Sequence, residues 1–333
     1  MMNQQWKSQG INLPIGSVVT GKWHNHSYLI RKKLGSGACG TVYLADQGNQ
    51  QVAIKFSQNG SSITTEVNVL RTFQKVQGKR LGPSLLDVDD WVQPNGSQIS
   101  FYAMEYLKGK ELSTFIQKHG HEWLGILMVQ LLKDLGDLHE AGWVFGDLKT
   151  ENLIVTFPPA RLRWIDVGGT TQIGRAIKEY TEFYDRGYWG LGSRKAEPTY
   201  DLFALAMVMI HVYYPKRFEK GKDPEKTLMR HLQQASSLKP YATAIQKALY
   251  GKYRSSKEME QDITNQLMNV SNNRLKDQQS SRTHSRTQRK QQKKTVQKRN
   301  NSSPSQAKYL WEGAGIIVVV CMFYIVYVIL QWI

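Results

Sequence analysis

The sequence predicts an α+β chain in which strands come first and helices follow, ahead of a C-terminal region of different character. Three observations lead there. Residues 28–34, 41–45 and 51–56 are short runs rich in β-branched and aromatic side chains, separated by glycine-containing turns. Residues 63–73 and 124–139 repeat their apolar side chains at helical spacing. Near residue 270 the apolar residues all but vanish, and they return later as one unbroken run. The 333 residues therefore divide into a polar lead-in over 1–27, a folded domain over 28–270, a basic linker over 271–309 and an apolar anchor over 310–333.

The first 26 residues show no clear period and read as an extended lead-in. Gly48-Asn49 fits a tight turn between the second and third strands. The turn between the first and second is Gly35-Ser36-Gly37-Ala38-Cys39-Gly40-Thr41-Val42, a G-x-G-x-x-G-x-V pattern. Glycines there let the backbone approach phosphate oxygens and aim N–H groups at them. A strand follows this turn instead of a helix, which argues against a dinucleotide site. Val52-Ala53-Ile54-Lys55 lies on the third strand, so Lys55 is placed to face a phosphate, and Glu66 on the following helix is its natural ion-pair partner. Residues 101–107 read as a further strand, and residues 124–139 as the core helix of a second lobe.

The stretch 144–152 reads Val-Phe-Gly-Asp-Leu-Lys-Thr-Glu-Asn, with Asp166 shortly after it in Trp-Ile-Asp-Val-Gly-Gly. Two short apolar segments flank the turn, which suggests a hairpin-like loop presenting both acids on one side. Asp147 is suited to take a proton from a hydroxyl and Lys149 to neutralise a phosphate oxygen. Asn152 and Asp166 are hard oxygen ligands suited to Mg²⁺. Taken alone, this stretch fits a solvated polar turn equally well.

The ordered set Gly35/Gly37/Gly40, Val-Ala-Ile-Lys55, Glu66, Asp147-Leu-Lys-x-x-Asn152 and Asp166-x-Gly168 resembles the eukaryotic-type (Hanks) protein kinases over residues 28–267. The resemblance implies a two-lobed fold, β-rich in the N-lobe and mostly helical in a shortened C-lobe, with ATP and Mg²⁺ between the lobes. It implies phosphorylation of Ser and Thr hydroxyls on protein substrates, since Lys149 two residues after Asp147 is the Ser/Thr form of the loop. Carried over residue by residue, Gly35, Ser36, Gly37, Ala38, Cys39, Gly40 and Val42 cover the phosphates, and Lys55, held by Glu66, binds the α- and β-phosphates. Val42, Ala53 and Ile154 sandwich the adenine, and Glu105 and Leu107 supply hinge backbone contacts. Asp147 and Lys149 are catalytic, and Asn152 and Asp166 hold the metal. Asp201 resembles the buried acid that holds the catalytic loop, and Arg254 the arginine near the end of the C-lobe.

Four departures stand out. Phe145-Gly146 replaces His-Arg before Asp147. Val167 replaces Phe after Asp166, and a larger Phe145 over a smaller Val167 roughly conserves volume. No Ala-Pro-Glu segment can be placed, because Ala196-Glu197-Pro198 lies close to Asp201. The C-lobe is short. Gly146 also removes the cation that would clamp an activation-loop phosphate, so phosphorylation of Thr170, Thr171 or Thr181 is not expected to be a strict on-switch.

The charge balance is 44 Lys+Arg against 27 Asp+Glu, a net +17, which calls for an anionic partner. Residues 271–308 carry eleven basic side chains and a single acid, Asp277, and lack the apolar content to fold alone. Arg282, Arg286, Arg289, Lys290, Lys293, Lys294, Lys298 and Arg299 form its densest part, with no aromatic residue for base stacking. DNA bound without sequence preference is one expected ligand, and anionic lipid is the competitor. Residues 313–333 are uncharged and long enough, at ~1.5 Å per residue, for one transmembrane helix. The basic block before it places the kinase on the cytoplasmic side of the cell membrane. The only cysteines, Cys39 and Cys321, offer no disulfide framework, which fits a reducing compartment, and the N-terminus shows no signal-peptide pattern. The order kinase, basic linker, membrane helix is similar to that of membrane-anchored kinases of spore-forming bacilli. That implies DNA-linked activation, self-association for phosphorylation in trans, and a setting in sporulation. Two rival readings stay open: a pseudokinase scaffold, and a small-molecule phosphotransferase of the same fold.

Overall fold

A computed structural model describes residues 11–37, 40–75, 82–177 and 179–269. The N-lobe is an antiparallel six-stranded sheet in the order β1-β2-β3-β4-β6-β5. Its strands are β1 (Val18–Thr20), β2 (Ser27–Gly37), β3 (Gly40–Gln47), β4 (Gln50–Ser57), β5 (Leu85–Val92) and β6 (Gln98–Glu105), with helix α1 (Gly60–Lys75) between β4 and β5. The three strands and the helix read from the sequence are β2, β3, β4 and α1. Gly48 has φ +57°, and Gln47 pairs with Gln50 across the expected turn. The Gln51–Ser57 part of β4 shows why the alternation rule serves only partly. Val52, Ile54 and Phe56 enter a core with Tyr28, Ile30, Tyr43 and Phe101. Ala53 instead joins the core formed with α1 and the C-lobe, so the strand is buried on both faces.

The lead-in expectation is corrected from residue 11 onward. Ile11, Leu13 and Val19 are buried in the N-lobe core. The Tyr43 hydroxyl accepts from Leu13 N at 2.9 Å and donates to the Ile11 carbonyl at 2.8 Å. These apolar residues share no common period and gave no signal, because a distant tyrosine fixes Ile11 and Leu13 and pairing with β2 fixes Val19.

The C-lobe begins with β7 (Gly109–Glu111), α2 (Leu112–His119) and α3 (Glu122–Glu140). Buried Leu124, Leu127, Met128, Leu131, Leu132, Leu135 and Leu138 form the stripe of α3. Then come β8 (Trp143–Val144), a 3₁₀ turn (Thr150–Asn152), β9 (Leu153–Thr156), β10 (Arg161–Trp164) and β11 (Thr171–Gln172). β9 pairs with β10 on one side and β7 on the other, and β8 pairs with β11, so the turn between β8 and β9 is held at both ends. Helix α4 (Pro198–His211) is buried at every position from Tyr200 to His211, as its apolar sequence on all sides requires. Helices α5 (Pro224–Gln234) and α6 (Ala242–Leu249) and a last helix over 256–269 complete the lobe. Among the described residues no helix is long and apolar enough to cross a membrane. The expected anchor over 310–333 and the linker residues Arg282, Arg286, Arg289, Lys290, Lys293, Lys294, Lys298 and Arg299 lie outside the described residues.

Candidate active site

A cleft of about 740 Å³ opens between the lobes. Its roof is the β2–β3 hairpin, in which Gly35 pairs with Val42 and Gly37 with Gly40. Gly40 sits at φ +137°, and a Cβ there would lie 2.2 Å from the Phe56 carbonyl oxygen, so this position admits only glycine. Ser36 lines the cleft with these glycines, whereas Ala38 and Cys39 lie outside the described residues. Val42, Ala53, Ile154, Glu105 and Leu107 all line the cleft. Leu34, Met104 and Ile165 add apolar walls that no motif marked.

Lys55 and Glu66 form a buried ion pair, with Nζ 2.7 Å from Oε2. Tyr102 donates to the same oxygen at 2.7 Å and Ser62 to Oε1 at 3.2 Å. Burial pushes the Glu66 carboxyl up, and the charge of Lys55 only partly offsets this. Lys55 also donates to Asp166 Oδ1 at 3.4 Å, and Gly168 N donates there at 3.0 Å. Burial would raise Asp166, but the Lys55 charge, the Gly168 N–H and the Lys149 charge together hold it below the usual carboxylate range. The carboxylate form is thus the favoured one.

The catalytic loop hangs from Asp201, which is fully buried at the start of α4. Its carboxylate accepts from Phe145 N at 2.7 Å and from Gly146 N at 2.9 Å, and His139 Nε2 lies 2.9 Å away. Beyond Asp201, Asp147 Oδ2 is paired with Lys149 Nζ. Asn152 Nδ2 donates to the Asp147 carbonyl at 2.9 Å, so the carboxamide nitrogen is committed to the loop. Gly146 does more than omit a cation. It has φ +80°, and a Cβ would lie 2.4 Å from the Gly169 carbonyl oxygen, so the chain crosses its neighbour where a side chain has no room. Phe145 and Val167 are both buried, and Trp164 links Phe145 (ring centroids 4.8 Å apart) to Phe73 of α1 (5.9 Å). This column ties the catalytic loop to the helix that carries Glu66, and no motif pointed to Trp164.

The segment between Asp166 and α4 holds two groups that the motifs missed. Thr181 donates to Asp147 Oδ1 at 3.1 Å and lies 3.3 Å from Lys149 Nζ. Glu197, at the residue before α4, forms an ion pair with Arg186 at 2.6 Å, and the same guanidinium donates to Ser193 O and Thr199 Oγ1. Arg254, near the end of the C-lobe, is exposed and its backbone N–H bonds to Glu258, while the arginine facing Glu197 comes from within the segment itself. Asp185, fully buried, is bound by Arg194 at 2.7 Å and by the Tyr200 hydroxyl at 3.0 Å.

The protein kinase domain profile matches residues 28–298. Among characterised proteins, the chain is 45% identical to serine/threonine-protein kinase YabT of Bacillus subtilis (strain 168), over 99% of each chain. It is 31% identical to protein kinase dsk1 of Schizosaccharomyces pombe, over 45% of this chain and 30% of that one. It is 24% identical to sporulation protein kinase mde3 of the same yeast, over 61% and 40%. The profile spans most of the chain and the YabT match runs along both proteins, so the chain that carries the glycine hairpin, the Lys55–Glu66 pair and the loop hung from Asp201 belongs to the protein kinase family.

Proposed function

We propose that this kinase transfers the γ-phosphoryl group of ATP, with Mg²⁺, to Ser and Thr hydroxyls of proteins. The observation that carries the reading is the convergence of Lys55, Asp166, Lys149 and Asn152 on one cleft, with Asp147 bonded to the last two. The donor set fits the groups. Asp166 and the Asn152 oxygen are hard ligands, and the hairpin presents backbone to phosphates. When bound, Mg²⁺ neutralises phosphate charge. Lys55, fixed by Glu66, holds the α- and β-phosphates. Asp147, aimed by Lys149 and Thr181, orients the hydroxyl and takes its proton. Lys149 then faces the charge developing on the transferred group.

The test compares Asp147→Asn with the wild type. Turnover of a protein substrate should fall by about 10²- to 10⁴-fold, with nucleotide affinity nearly unchanged, because Asp147 faces the hydroxyl and not the nucleotide. Near-normal turnover would remove the catalytic-loop assignment. Absence of Mg²⁺-dependent autophosphorylation in the wild type would favour a scaffold. Preference for sugars or aminoglycosides over proteins would favour a small-molecule phosphotransferase.

We further propose that the kinase is anchored in the cell membrane with its catalytic domain in the cytoplasm, and that DNA of any sequence stimulates it through the linker during sporulation. Two things support this: the similarity to YabT runs through 99% of the chain, and eleven cations are concentrated in residues 271–308. Several kinases gathered on one DNA molecule meet and phosphorylate one another. Autophosphorylation should then rise and fall with DNA amount, as excess DNA separates the kinases. Replacing the eight linker cations Arg282 to Arg299 by Gln should abolish the rise and leave basal activity intact. If the wild type ignores DNA at low salt but binds anionic vesicles, the linker is a membrane clamp instead.

A further inference from the structure

The seam of the N-lobe holds a group of ligating side chains that the kinase reaction does not use. Residues 21–26, just before β2, lie against β5, the far edge of the sheet. Lys22 N donates to the Asp90 carbonyl at 2.8 Å, and Trp23 Nε1 bonds to the Asp90 carboxylate at 3.0 Å. His24 Nδ1 lies 2.6 Å from Asp87 Oδ1, and His26 Nδ1 lies 2.8 Å from Asp87 Oδ2. Both imidazoles are half-exposed, while Asp87 is buried and also accepts from the Tyr28 hydroxyl at 2.7 Å. Between the two histidines, Asn25 has φ +57°, the only non-glycine residue with positive φ among the described residues. Asn is among the few side chains that tolerate this conformation. None of the three ligating residues lines the ATP cleft.

We propose that His24, His26 and Asp87 form a binding site for a divalent cation of the zinc class, which staples the N-terminal segment to β5. Two imidazole nitrogens and one carboxylate oxygen make a borderline donor set that suits Zn²⁺ and disfavours Mg²⁺ and Ca²⁺. Their ligating atoms all lie within 4.8 Å of one another. On a tetrahedral ion with bonds of about 2.0–2.2 Å, neighbouring ligand atoms stand about 3.3 Å apart. Each ring therefore has to retreat by about half an ångström, which a half-exposed side chain can do. With the ring proton on Nε2, the Nδ1 lone pair of each imidazole faces the ion. Water supplies the fourth ligand. Asp89 is already committed, accepting from Trp23 N at 2.9 Å and His24 N at 2.8 Å, and it contributes charge. The local balance also favours a cation. In a chain of net charge +17, the seam gathers the carboxylates of Asp87, Asp89 and Asp90, and Lys22 is the basic side chain beside them.

The test uses the full chain, stripped with a chelator and titrated with Zn²⁺, alongside the double variant His24→Gln/His26→Gln. Both side chains are half-exposed, so the variant should fold, and neither touches the kinase cleft. The wild type should bind Zn²⁺ saturably with a rise in melting temperature, and the variant should bind at least about tenfold more weakly and lose the rise. Co²⁺ should give the visible bands of nitrogen and oxygen ligation in the wild type only. Mg²⁺-dependent phosphorylation should be equal in the two proteins. Equal Zn²⁺ affinity and thermal shift in both proteins would overturn the proposal. So would the absence of saturable binding by the wild type up to about 100 μM Zn²⁺.

Discussion

Thr181 shows how much one hydroxyl does at the catalytic centre. It touches both Asp147 and Lys149, so it holds the proton acceptor and the cation in register. Thr171 pairs with Val144 at β11, and Thr170 is buried, so neither meets the catalytic pair in this way. The three threonines, equivalent in the sequence, therefore separate. Thr170→Ala with Thr171→Ala should keep most activity on an exogenous substrate. Thr181→Ala should lower kcat by about tenfold or more, and Thr181→Ser should restore it. Steady-state rates for the three proteins check this; equal rates for Thr181→Ala and wild type would show that the hydroxyl is a bystander. His211 gives a second expectation. Burial lowers its pKa below the ordinary value, and its Nδ1 faces the hydroxyls of Tyr184 and Thr150. The unfolded chain thus binds a proton more readily than the folded one. Its stabilising contribution is complete above about pH 6.5 and declines as pH falls from there towards the depressed folded value. Chemical denaturation between pH 7.5 and 5.5 should show a shallower loss of stability in His211→Gln than in the wild type.

Among the elements, the segment joining β11 to α4 is ordered by its own ion pairs. Arg186 bonds to Glu197, Ser193 O and Thr199, and Arg194 bonds to the buried Asp185. These contacts need no phosphate, in keeping with a glycine at position 146. Arg186→Ala removes a charged group with several partners and should cost about 1–3 kcal/mol, enough to lower the melting temperature by several degrees. Arg254→Ala, at an exposed position, should change stability by less than about 0.5 kcal/mol. Thermal unfolding of the two variants, side by side, distinguishes the buried arginine that secures Glu197 from the exposed one. The column from Phe73 through Trp164 to Phe145 acts at the same level. It joins α1 to the catalytic loop by packing, so the helix bearing Glu66 and the loop bearing Asp147 share one core.

For the whole molecule, charge is the organising quantity. Most of the excess of +17 lies in residues 271–308, away from the folded lobes in sequence, so binding to a polyanion is separable from catalysis. If the eight cations of residues 282–299 all meet DNA phosphates, the logarithm of affinity should fall with the logarithm of salt at a slope as steep as about −7. Fluorescence anisotropy with labelled duplexes of unrelated sequence measures this. Similar slopes across sequences are expected, and strong preference for one sequence would contradict phosphate-only contact.

What the sequence by itself determined is whatever local chemistry enforces. The glycine hairpin, the strand carrying Lys55, the helix carrying Glu66 and the loop from Asp147 to Asn152 were legible because each needs particular residues at short, fixed spacing. The same holds for the stripe of α3 and the turn at Gly48-Asn49. Partnerships between residues far apart in the chain emerged only with the fold. Ile11 and Leu13 join the N-lobe because Tyr43 holds them, not through any pattern of their own. Trp164 became a link between lobes, Arg186 paired with Glu197, and His24 and His26 met Asp87 across the seam of the sheet. Such contacts depend on where the backbone returns in space, and one sequence carries no period or spacing that records it.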